Sequence, residues 1–217
     1  MMNELSTIQR VVVWVLPVIF AITVHEVAHG WVAKKKGDNT AFMLGRLTLN
    51  PIKHIDLIGT IVIPGLLLIS GTGIIFGWAK PVPVDSRHFK NPSKDMALVA
   101  IAGPVSNVLM AIGWALLIRL AIIIESDFVT LPLIYTGIAG ISINLILALI
   151  NLIPIPPLDG SRVLSAFLPS KWAWRYNQIE RFGFIILMIL LWSNGLSYLL
   201  GQPMFIAQKL FFSIAGL

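Results

Sequence analysis

Five long stretches of the chain carry almost no charge, and they constrain the fold more than any other feature. Residues 11–33 hold one acid, Glu26. Residues 58–79, 96–118, 128–158 and 182–208 hold no charged side chain, and the third stretch runs on past Arg119 to Ile124. Each is long enough to cross a hydrocarbon layer of about 30 Å as a helix. Only 12% of the 217 residues are charged, against roughly a quarter in a soluble domain, and the mean hydropathy is +0.85. So much apolar surface cannot be hidden in a core of this length. The expected class is an all-α polytopic membrane protein set in the lipid bilayer, read as a single membrane-embedded domain over residues 1–217 with no appended soluble domain. The composition excludes a soluble enzyme and a disordered chain. With no cysteine, disulfides, thiolate nucleophiles and thiolate metal sites are excluded too. A net charge of +6 does not argue for nucleic acid, because basic residues in a membrane protein mark its cytoplasmic loops.

The first stretch contains His25-Glu26-Val27-Ala28-His29. Histidines four apart share one helix face, where their imidazoles can bind a single Zn²⁺. A Glu beside the first His can accept the proton of a metal-activated water. The five-residue pattern also arises by chance, and a helix end that exposes His and Glu to headgroup water would carry it. Ionisable groups inside an apolar span are costly, however, and generally functional. They also set residues 11–33 apart from a cleavable signal peptide, as does the lack of a small-residue cleavage site. A zinc site needs a third protein ligand. Position 35, where one large soluble class has its third His, is Lys35. Glu125 and Glu180 are the downstream Glu candidates. Asp159 is the better one, at the end of the uncharged run Asn151-Leu-Ile-Pro-Ile-Pro-Pro-Leu-Asp159-Gly160. An Asp before Gly is also an ordinary turn residue, so on the residues alone both readings stand.

Three motifs occur in order: residues 25–29, Gly103-Pro104-Val105-Ser106-Asn107, and residues 151–160. Two further stretches accompany them, Leu47-Thr48-Leu49-Asn50-Pro51 with His54-Ile55-Asp56, and Gly77-Trp78-Ala79-Lys80-Pro81-Val82-Pro83-Val84. Together they make the chain resemble the site-2 protease family of intramembrane zinc metalloproteases, in its compact prokaryotic branch without PDZ or CBS domains. The likeness spans residues 21–163. It implies one Zn²⁺ per chain held by His25, His29 and Asp159, with Glu26 as general base. It places Asn151 near the metal, binding substrate backbone or the developing oxyanion. Asn107 fits packing and catalysis equally, and the residues after Arg181 carry no motif. The implied reaction is hydrolysis of peptide bonds in membrane-spanning proteins, such as membrane-tethered transcriptional regulators or signal-peptide remnants. The alternative of another class is a non-proteolytic membrane zinc-binding protein or metal carrier.

Ligands at 25, 29 and 159 must share one membrane depth, and all lie toward the C-terminal ends of their apolar stretches. Their helices then run the same way, which requires an odd number of crossings between them, yet two apolar stretches intervene. Residues 58–79, with Gly59, Pro64, Gly65, Gly71, Gly73 and Gly77, are the expected re-entrant element. Broken backbone at membrane depth is tolerated where protein or water covers it. The expected spans are about 10–33, 96–124, 131–154 and 182–201, a three-helix catalytic core plus one further C-terminal span. With the N-terminus outside, 13 of the 16 Lys and Arg fall on the cytoplasmic side, as the positive-inside rule favours. A crossing at 58–79 would leave them divided 9 to 7. The active site is therefore expected in the cytoplasmic half of a prokaryotic cytoplasmic membrane. Residues 40–49 or 58–79 are expected to offer a strand edge to an unwound substrate, with short β-strands between the first two core helices. His54 and Asp56 either orient this loop, or His54 is a solvated interfacial residue like His88.

Overall fold

The structure, a computed structural model, describes residues 5–69 and 77–217. In chain order its helices are α1 (Thr7–Lys35), α2 (Thr40–Met43), α3 (Ile63–Ile69), α4 (Pro92–Ile124), α5 (Thr130–Leu152), α6 (Asp159–Phe167), α7 (Ser170–Asn177), α8 (Glu180–Trp192) and α9 (Gly195–Ala215). The protein is 77% helical and has no strand among the described residues.

Local sequence explains the helix ends. Ser6 and Gln9 form a reciprocal capping box at the start of α1, and Lys34 and Lys35 lie in its last turn, at the negative end of the helix dipole. Pro92 opens α4, and Glu125 closes it in the left-handed conformation. The 29, 33 and 23 residues of α1, α4 and α5 correspond to about 43, 50 and 35 Å at ~1.5 Å per residue, enough to cross the bilayer.

Helices α4 and α5 pack along small residues. Ala111, Ala115 and Ile118 of α4 meet Ile134, Ile141 and Leu145 of α5, and Phe211 and Ala215 of α9 close the cluster. A Cβ on Gly137 would strike Ile118, and one on Gly140 would strike the Trp114 ring. Small residues are what let membrane helices come this close. Half of the most apolar stretch of α5 is buried, against 28% for α4 and 22% for α1, so α5 is the most enclosed of the three. The outward faces of α1 and α4 leave Val12, Leu16, Leu109 and Leu120 exposed.

One expectation needs correction. Residues 40–49 do not form a strand. The Asp38 carboxylate accepts from the Thr40 backbone N–H at 3.0 Å, which nucleates a short helix. Gly45, at φ +63°, ends it. The Gly45 N–H then donates to Phe42 O and the Arg46 N–H to Ala41 O, a Schellman closure. The expected C-terminal span at about 182–201 falls on two helices. α8 has 13 residues, about 20 Å, too short to cross alone. The chain bends by 75° into α9 at Ser193 and left-handed Asn194.

The region from 58 to 79 leaves and returns at one place. A π-helical turn at Leu57–Val62, capped by Asp56, leads into α3. The Trp78 N–H donates to Gly59 O at 3.0 Å, and the Thr60 hydroxyl donates to Trp78 O at 2.9 Å. Residues 70–76 of the expected re-entrant element lie outside the described residues.

Candidate metal centre

His25 and His29 project from one face of α1 toward α4. Three α4 residues at spacing four receive them. The Val99 carbonyl accepts from His29 Nδ1 at 2.8 Å, Gly103 faces both rings, and Asn107 Oδ1 accepts from His25 Nδ1 at 2.6 Å. A Cβ on Gly103 would lie 2.5 Å from ring atoms of both histidines, so only glycine allows α4 to approach. The role of Asn107, open on the sequence, is thereby a hydrogen bond to His25.

These bonds determine the tautomers. A carbonyl oxygen only accepts, so Nδ1 of each ring carries the proton and each neutral ring keeps its lone pair on Nε2. The two Nε2 atoms lie 3.0 Å apart. Asp159 Oδ2 lies 3.3 Å from both and is buried without a hydrogen-bond partner. With both rings neutral, two lone pairs and a carboxylate oxygen converge there, a donor set that a bound cation would satisfy. Zinc bonds of about 2.0–2.2 Å set tetrahedral ligands roughly 3.3–3.5 Å apart, so the donor set fits zinc.

Asp159 reaches this point because α6 folds back against the end of α5. A Cβ on Gly160 would run into the Leu152 carbonyl, and one on Gly183 of α8 into the Pro156 carbonyl. The loop that carries Asp159 is therefore clasped from both sides. Gly183 lies in the part of the chain where the sequence shows no motif.

Glu26 is held from the loop side. Its Oε2 accepts from the Val82 N–H at 2.7 Å. Segment 77–85 is fixed in turn: Lys80 N–H donates to His54 O at 2.9 Å, Arg46 donates to Lys80 O at 2.9 Å, and Asp85 N–H donates to Asp38 at 2.7 Å. His54 is 2% exposed and donates through Nε2 to Thr48 O at 2.9 Å, so it orients the loop and is not solvated. Asp56 caps the helical turn at Gly59. Asp38 is fully buried and also accepts from Thr40 and from His88. Burial pushes its carboxyl up, but the Thr40 hydroxyl, the Asp85 and Thr40 amides and His88 outweigh it and hold it below the usual carboxylate range.

Asn151 makes no hydrogen bond to the cluster. It lies in the last turn of α5, and its Nδ2 donates to Leu147 O at 3.0 Å. The sequence alone did not single out Val82, Val99 or Asn144. The Asn107 Nδ2 donates to Asn144 Oδ1 at 2.9 Å.

Residues 121–192 match the profile of the family described as Peptidase family M50. A Bacillus subtilis protein named "Putative zinc metalloprotease YwhC" is 43% identical over 192 residues, covering 86% of this chain and 83% of that protein. A Mycolicibacterium smegmatis protein named "Putative zinc metalloprotease Rip2" is 28% identical over 180 residues, covering 82% of this chain and 66% of the relative. No solved structure matches. The chain belongs to peptidase family M50, the site-2 protease family.

Proposed function

We propose that this membrane protein is a zinc metalloprotease that cleaves peptide bonds of membrane-spanning proteins, with one Zn²⁺ held by His25, His29 and Asp159. The observation that carries the reading is the buried Asp159 oxygen, 3.3 Å from the Nε2 atoms of both imidazoles and without a hydrogen-bond partner. When bound, zinc activates water and polarises a carbonyl. Glu26 acts as general base. With Oε2 engaged by Val82, Oε1 is the oxygen left to take the proton of the water and return it to the leaving nitrogen. Asn151 binds the substrate or the developing oxyanion. Its amide is engaged only by a carbonyl of its own helix, so turning it toward substrate costs little.

The same reading sets the topology. Helices α1, α4 and α5 cross the membrane, segment 58–79 enters and leaves on one side, and α8 with α9 forms a broken fourth element. The N-terminus lies outside, and the basic segments 34–57, 80–95 and 162–181 lie in the cytoplasm. Lys35 follows His29 by six residues, about 9 Å of helix, which puts the site in the cytoplasmic half. The expected setting is the prokaryotic cytoplasmic membrane.

The test is Glu26→Gln in vesicles holding a single-span substrate. The variant should retain zinc and lose cleavage. Cleavage at the native rate by Glu26→Gln would sink the protease reading. Zinc transport without cleavage by the unaltered protein would favour a carrier.

A further inference from the structure

We propose that Asn144 of α5, which hydrogen-bonds to none of the ligand atoms, is a positioning residue that fixes the Asn107 amide and, through it, the bare Nε2 of His25. The proposal rests on the zinc-site reading above.

Asn144 and Asn107 are both fully buried. The Asn144 Nδ2 donates to Gly140 O at 2.8 Å. A carbonyl cannot donate, so this bond decides which end of the Asn144 amide is nitrogen. The Asn144 oxygen is left facing Asn107, which answers with its own nitrogen at 2.9 Å. That same nitrogen lies 3.4 Å from Ala21 O. The Asn107 oxygen is thereby left for His25, 2.6 Å from Nδ1. An oxygen at that place requires a proton on Nδ1 and leaves Nε2 free to bind metal. Orientation is thus passed from a backbone carbonyl of α5, across α4, to a ligand on α1.

With an apolar side chain at 144, the Asn107 amide loses the partner that best separates its two orientations. In the flipped orientation Nδ2–H faces His25, the lone pair stays on Nδ1 and the proton occupies Nε2, where no metal can bind. His29 has no such weakness, because its Nδ1 meets a backbone carbonyl.

The experiment measures zinc affinity of the full-length, detergent-purified protein by chelator competition, with the visible spectrum of the Co²⁺-substituted protein as a second readout. Asn144→Leu should bind zinc about 10- to 100-fold more weakly, the range for loss of a supporting hydrogen bond, and should alter the Co²⁺ spectrum. Asn144→Asp, protonated in this buried place, donates to Gly140 and accepts from Asn107 as Asn does, and should bind zinc nearly as the wild type. Adding Asn144→Leu to Asn107→Leu should cost nothing more, because the relay is already cut. Wild-type affinity in Asn144→Leu would overturn the proposal, as would additive losses in the double variant. So would an equal loss of zinc in Leu145→Ala, a packing change one residue away. If the wild type binds no zinc, or binds it undiminished in His25→Ala, the site reading itself fails, and the positioning role falls with it.

Discussion

The zinc-binding cluster and the base beside it are supported by different parts of the molecule. His25, His29 and Asp159 are set by helix packing: a glycine in α4, a backbone carbonyl, an asparagine, and glycines that clasp the 153–158 loop. Glu26 is set by a loop, through one amide of segment 77–85. That segment hangs on buried polar side chains, chiefly Arg46, His54 and Asp38. Metal affinity and proton transfer therefore have separable supports, and a lesion in one should spare the other.

The sharpest break is expected at Gly103. Gly103→Val puts methyl groups where both imidazoles stand, and should abolish zinc binding and cleavage together, as read by metal content and turnover of the purified protein. Zinc retained at wild-type stoichiometry would show that helix packing does not set the ligands. Val82→Pro acts on the other support. It removes the N–H that holds Glu26, and should lower kcat by about 10- to 100-fold, within what a general base contributes, with zinc affinity unchanged. Val82→Ala keeps the N–H and should keep most of kcat. Loss of zinc in Val82→Pro would merge the two supports into one.

A smaller effect is expected from Asp38→Asn, which weakens the anchor of segment 77–85. The loss should be about 1–3 kcal/mol of local stability, the range for a buried hydrogen-bonded group losing its partners. It should appear as faster amide exchange at Thr40 and Asp85 and a several-fold lower kcat, again without zinc loss. The depressed Asp38 pKa gives this anchor a pH dependence. Its stabilisation is complete above the unfolded carboxyl value of about 3.9 and is lost as pH falls through the lower folded value. Protection of those amides should decline only in that acid range. The smallest effect belongs to Lys36→Ala. Its 3.3 Å pair joins a partly exposed lysine to the buried Asp95 carboxylate, which keeps its bond from the Asn91 N–H. Tm should therefore fall only slightly, by no more than the loss of about 1 kcal/mol expected for a partly exposed pair, while zinc affinity and kcat stay unchanged.

How much of this was legible in the sequence follows the same division. The spacing of His25 and His29 places them on one helix face, and the charge-poor stretches indicate which segments are long enough to span. The Gly59 and Pro64 signals at 58–79 agree with a chain that returns beside its starting point. The supports were harder to read, because their partners are backbone groups far along the chain. Glu26 and Val82 are 56 residues apart, and nothing in a Val reveals where its amide points. Asn144 reads as one polar residue in an apolar run until its neighbour on α4 is known. The bend at residues 193–194 had a signal in Ser193-Asn194-Gly195, a turn-forming sequence, which an unbroken count of uncharged residues passes over. Residues 40–49 are rich in strand-tolerant types, whereas the Asp38 turn contact to the Thr40 N–H and Gly45 together specify a short helix.

The prolines on either side of Val82 give the loop a fixed register. Neither Pro81 nor Pro83 has an N–H to offer. If segment 77–85 slid along α1 by one residue in either direction, Glu26 would meet a nitrogen that cannot donate. There is no neighbouring alignment in which the carboxylate is partly satisfied, so the loop has one seat on the base or none. A gradual drift of the loop is thereby excluded, and any motion that frees Glu26 must break the contact outright.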